Sequence, residues 1–92
     1  MLYMVIEHFK DQDALAVYRE MRAKGRQLPD GLRYVSSWIE VDWTRCFQVM
    51  ETDDPALLAR WITCWTHLAE FEVVPVMTSE TATAAVAPLL DG

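Results

Sequence analysis

Ninety-two residues suffice for one domain, which at this size buries only roughly 60–65% of the surface its unfolded chain exposes. Fourteen acidic residues against eight basic leave a net charge of −6. That argues against nucleic acid and anionic membrane surfaces as partners, since Lys and Arg hold both.

The first strand is expected from about Leu2 to Phe9, and its apolar start, Leu2–Ile6, ends at Glu7 and His8 as a signal peptide would not. Asp11 or Asp13 then caps a helix with Ala14, Val17, Tyr18, Met21, Gly25 and Leu28 on one stripe, stopped by Pro29-Asp30-Gly31. On that helix Arg19, Arg22, Lys24 and Arg26, interrupted by Glu20, read as a solvated face and not as an anion site.

Strand two is expected over about Leu32–Val41 and strand three over about Arg45–Glu51, joined through Asp42-Trp43-Thr44. Thr52-Asp53-Asp54-Pro55 marks the next helix start: Asp suits the N-cap and Pro the first helical position. The second helix carries Leu57, Leu58, Trp61, Ile62, Trp65, Leu68 and Ala69 on a broad stripe, and strand four follows at about Phe71–Thr78. The Ala/Thr-rich tail from Glu80 to Gly92 is expected either disordered or draped over a partner subunit.

The order β-α-β-β-α-β, with right-handed interleaved crossovers, predicts an α+β, ferredoxin-like domain over residues 1–79. It has a four-stranded antiparallel sheet and two helices on one face. A half-solvated strand alternates apolar and polar residues, yet these strands are apolar on one side and mixed on the other. The open face therefore needs a second cover, and in so short a chain the expected cover is another copy, giving a homodimer. Val49 and Gln48 lie on opposite faces of strand three, so one of the two meets the partner. Cys46 and Cys64 fit no metal or redox spacing and are expected to be reduced, and no run reaches the ~18 apolar residues of a membrane span. A cytoplasmic location is expected.

Leu-Tyr-Met-Val-Ile-Glu-His-Phe at residues 2–9, Pro29-Asp30-Gly31-Leu32-Arg33-Tyr34-Val35-Ser36-Ser37-Trp38 and Arg45–Pro55 form a specific set with Trp61, Trp65 and Phe71–Val76. Over residues 1 to about 79 this set resembles an uncharacterised bacterial family, domain of unknown function 3303. The resemblance implies a dimeric α/β-barrel in which two ferredoxin-like sheets pack across their open faces. It also implies a superfamily of small cofactor-free monooxygenases, isomerases, haem-handling enzymes and plain binding modules. It carries no catalytic residue to this chain.

Few residues are left to argue for chemistry. Glu7 and His8 point to opposite faces of strand one, so one of them is a candidate general base or polar anchor, unless both reach solvent at the strand's rim. Tyr34, Ser36, Trp38 and Glu40 are expected on one face of strand two, where Tyr34 and Trp38 suit either a flat apolar ligand or a dimer interface. Trp61 and Trp65, one helical turn apart, are core residues or a pocket wall. Gln48 and Arg45 are the polar groups on strand three able to orient a ligand, and Gln48 must be hydrogen-bonded if buried. His67, near the end of helix two, resembles in its place a histidine of haem-degrading members of that superfamily, with His8 the other candidate, though strand one offers Glu7 where the resemblance implies asparagine. No metal cluster, triad or phosphate-cradling loop occurs, and no cofactor is expected. The reading is a homodimer binding an apolar small molecule, with a cofactor-independent monooxygenase- or isomerase-like enzyme, or a haem-handling dimer, as alternatives.

Overall fold

The computed structural model describes residues 1–92. In chain order it has β1 (Leu2–Phe9), a short 3-10 turn (Lys10–Gln12), α1 (Ala14–Lys24), β2 (Arg33–Ile39), β3 (Arg45–Glu51), α2 (Pro55–Thr63), β4 (Ala69–Val76) and α3 (Ser79–Leu90). The strands form one sheet in the order β2-β3-β1-β4, antiparallel throughout, which is the ferredoxin-like arrangement.

Local chemistry sets the helix starts. The Asp13 carboxylate accepts from the Ala16 amide at 3.1 Å to open α1. Asp54 does the same for Ala56 at 3.0 Å to open α2, with Pro55 in the first turn and the Asp54 amide held by the Thr52 hydroxyl. The end of α1 differs from expectation. The helix stops at Lys24, and Gly25 forms its C-cap at φ 69°, donating its amide to the Met21 carbonyl at 2.7 Å. Gly25 is thus a terminator and not a member of the buried stripe, because its left-handed backbone is cheap only for glycine. Arg26 and Leu28 follow in a connecting segment that leaves the helix direction.

Strand β2 departs from regular alternation. Tyr34 pairs with Met50, but the next pair is Ser36 with Val49, so Val35 is an extra residue in a β-bulge. Tyr34, Ser37 and Ile39 consequently share the face of Met50, Gln48 and Cys46, whereas Ser36 and Trp38 fall on the other face. The expected grouping of Tyr34 with Ser36 and Trp38 is overturned by that single residue.

The helices cover the face carrying Val5, Glu7 and Phe9 of β1 with Cys46, Gln48 and Met50 of β3. Val5 and Met50 are fully buried there against Trp61 and Leu58 of α2 and Val17 of α1. The opposite face displays Leu2, Met4, Ile6 and His8 of β1, Trp38 of β2, Phe47 and Val49 of β3, and Val74 and Val76 of β4, by their pairing register. None of these is buried, and Trp38 is 58% exposed.

The segment expected to be disordered or draped over a partner forms α3, capped by the Thr78 hydroxyl on the Thr81 amide at 3.1 Å. Its alanines favour helix. It buries no residue, and Leu89 and Leu90 are largely exposed. The radius of gyration is 15.6 Å, against about 12 Å for a compact chain of this length, so α3 stands out as an arm. No helix is long and apolar enough to cross a membrane.

Candidate functional site

Between the helices and the sheet lies a cavity of about 100 Å³. Its floor is built by cross-strand neighbours: Glu7 of β1 pairs directly with Cys46 of β3, and Val5 with Gln48, so Glu7, Cys46 and Gln48 stand side by side on one face. Ser37 and Ile39 of β2 continue that floor, while Trp61 of α2 and Trp65 just beyond it form an apolar wall. Val17, Tyr18 and Met21 of α1 close the other side, and Arg26 enters from the segment after Gly25.

Glu7 is the unusual group here, a carboxyl only 6% exposed. Burial pushes its pKa above the ordinary carboxylate value, since removing a charge from water is costly. Hydrogen bonds with the Cys46 thiol and the Gln48 amide, and the positive charge of Arg26, act in the opposite direction without cancelling that shift. Burial, with the adjacent Glu7 carboxyl, also pushes the Cys46 thiol up to about 12. Cys46 therefore stays a neutral thiol at physiological pH, a hydrogen-bond partner for Glu7 and not a nucleophile. Tyr18 is raised as well, by burial first and then by the neighbouring Cys46 and Glu7. Its ring meets Trp43 edge-on, 6.1 Å between centroids, at the exposed rim of the cavity.

The raised Glu7 pKa has a stability consequence of definite sign. As pH climbs past the ordinary carboxyl value, the unfolded chain loses its proton while the folded chain keeps it. Stability falls until the pH passes the raised folded value. Glu7→Gln removes this dependence. The variant is expected to exceed the parent at about pH 8 by on the order of 1 kcal/mol, and to match it near pH 4. Urea unfolding at the two pH values measures both, and a difference that persists undiminished at acid pH would rule the ionisation out as its source.

The cavity brings together Glu7, Gln48, Trp61 and Trp65. His8 lies on the opposite sheet face, 3.9 Å from Glu72 Oε1, away from the cavity. Trp38 is outside for the reason given by the bulge. Tyr34 is on the cavity side of the sheet but does not line the cavity, with its hydroxyl 2.7 Å from Ser37 Oγ and its ring under the Arg26 guanidinium at 3.6 Å. Arg45 pairs with Glu40 and lies over the Phe47 ring, and it does not reach the cavity. His67 sits on the surface, 3.0 Å from Glu20, also outside.

Sequence reasoning missed Arg26. Read as part of a solvated helix face, it instead lines the cavity with its Nε buried. Gly25 was the signal that could have found it, because glycine at a helix end redirects the residue that follows. No cluster of three His, Cys, Asp or Glu side chains converges on a metal site.

Two solved structures resemble the chain. One is an antibiotic biosynthesis monooxygenase, 23% identical, covering 85% of this chain and 98% of that one with a TM-score of 0.49. The other is a Deinococcus radiodurans protein proposed to be an antibiotic biosynthesis monooxygenase, 9% identical, covering 85% and 93% with a TM-score of 0.46. No curated protein matches. The sequence matches from residue 1 through residue 90, so α3 lies within the matched region, and the chain belongs to the family described as Domain of unknown function (DUF3303).

Proposed function

We propose that the chain works as a homodimer whose helix–sheet cavity binds a small, largely apolar molecule, and that Glu7 exchanges a proton with it without a bound cofactor. The observation that carries this reading is the convergence of buried Glu7 and buried Gln48 on an otherwise apolar cavity. A carboxyl raised toward neutrality is a better general base for a weak acid than an ordinary one, and Gln48 can hold a polar ligand atom beside it. Structural stability alone gives no return for burying Glu7, since an apolar residue there would avoid the desolvation cost.

The volume limits the ligand. A cavity of about 100 Å³ is smaller than the ~150 Å³ engineered apolar cavity that admits benzene, so one small ring is the upper limit of what it can enclose. Binding without chemistry is the second reading, favoured by the scarcity of other ionisable groups at the site. Deuterium exchange of the α-protons of cyclohexanone, followed by NMR in D2O, separates the two. Accelerated exchange that drops about 100-fold or more in Glu7→Gln is expected. Exchange at the background rate, with the small ring still bound, would leave binding alone.

The dimer reading is supported by the apolar open face, which no part of the chain buries. Its centre resembles a core layer without its second half, the pattern of obligate interfaces.

A further inference from the structure

Arg26 is held more firmly than an ordinary loop arginine. Its backbone carbonyl accepts from Trp61 Nε1 at 2.8 Å and from Trp65 Nε1 at 3.3 Å, so both indoles of the cavity wall fix its position. Its guanidinium carbon lies over the Tyr34 ring, 3.6 Å from the centroid. Its Nε is nevertheless buried with no hydrogen-bond partner. The arginine ion pairs of the chain are made by Arg33 and Arg45, and Glu7, though close enough to feel the charge, makes none with Arg26. That Nε is closed to the cavity, so it is the other guanidinium N–H groups of this cavity-lining cation, free of any ion pair, that can meet a ligand oxygen.

We propose that Arg26 is the polar anchor of the cavity and receives an oxygen of the ligand, so that the site takes small ring compounds bearing a carbonyl, enol or phenol oxygen. This rests on the small-molecule reading above and narrows its substrate class. The chemistry balances with the groups present. Ionised Glu7 takes a proton from the carbon next to a carbonyl, the C–H electron pair becomes the enolate double bond, and the negative charge reaches the oxygen facing Arg26. Reprotonation by Glu7 reverses the step. For a phenol the same pair divides the work, Glu7 accepting the hydroxyl proton and Arg26 donating to the oxygen. Arg26 is preorganised for that charge because its main chain and its ring-stacked side chain are already fixed.

Two near-isosteric probes, 4-fluorophenol and fluorobenzene, test this by 19F NMR titration of the full chain. The wild type is expected to bind the phenol at least about tenfold more tightly, the usual return for a hydrogen bond to a charged group. Arg26→Met should lose that preference while keeping its fluorobenzene affinity within about threefold, and Glu7→Gln should retain part of it. A measurement on the wild type alone guards against a variant that fails to fold: the Arg26 guanidinium N–H resonances should shift with 4-fluorophenol and stay in place with fluorobenzene. Binding of both probes without discrimination, or with unmoved Arg26 resonances, overturns the anchor and leaves the small-molecule reading intact. Binding of neither overturns both.

Discussion

Val49→Glu is expected to abolish the proposed dimer. Val49 lies on the uncovered sheet face, paired with Met4 on β1 and with Ser36 on β2, beside Phe47 in the same strand. In a twofold assembly each copy would bring one new carboxylate into an apolar interface, without a partner. A buried unpaired charge costs about 3–5 kcal/mol, and 3 kcal/mol alone weakens association more than 100-fold. The released subunit would still expose the apolar face, so aggregated or unfolded protein is expected in place of a stable monomer. Sedimentation at micromolar concentration should give about twice the monomer mass for the parent chain and lose that species in the variant. A parent chain that sediments as a clean monomer would remove the dimer from the proposed function.

Trp61→Ala is the second large effect, and it acts within one subunit. Trp61 is 2% exposed and joins three things at once: the core against Leu58 and Val5, an edge-on contact with Phe71 at 6.3 Å, and the hydrogen bond to the Arg26 carbonyl. Removing so large a buried side chain costs about 3–5 kcal/mol through lost transfer energy and the void left behind. A domain of this length has roughly 5–14 kcal/mol in total, so a fall in Tm of more than 10 °C is expected. Trp61→Phe should recover most of the loss, because it refills the space and forfeits mainly the hydrogen bond. If alanine cost less than about 1.5 kcal/mol, Trp61 would not be the residue that ties the cavity wall to the core.

The element order, the Asp54-Pro55 helix start and the two-faced strands were legible because each depends on local chemistry or strict alternation. The same alternation placed Glu7 and His8 on opposite faces, and Gln48 with Cys46 and Met50, which is how the structure arranges them. What failed was counting across an irregularity. One extra residue at Val35 breaks the period of two, so Trp38, read as a companion of Tyr34, lands on the other side of the sheet. No turn residue or glycine flags the bulge, since Val35 is an ordinary strand former. Arg26 failed differently. Its charge and its spacing from Arg19 and Arg22 fit a helix surface, but the helix had already ended. Burial of a charged side chain by residues distant in sequence, here Trp61, Trp65 and Tyr34, leaves no local trace.

The bulge in β2 has a further consequence when taken with the other border of the sheet. β2 and β4 are the two outer strands, and β4 contains Pro75, which has no amide hydrogen to offer. Each border thus carries a break in its row of free backbone groups, the bulge on one side and the proline on the other. Such breaks discourage strand-by-strand addition of further chains, the route by which sheets grow into filaments. An apolar sheet face invites stacking, whereas spoiled borders resist lengthwise growth. In the proposed dimer the apolar faces would stack once while the spoiled borders keep the sheet from lengthening into a fibre.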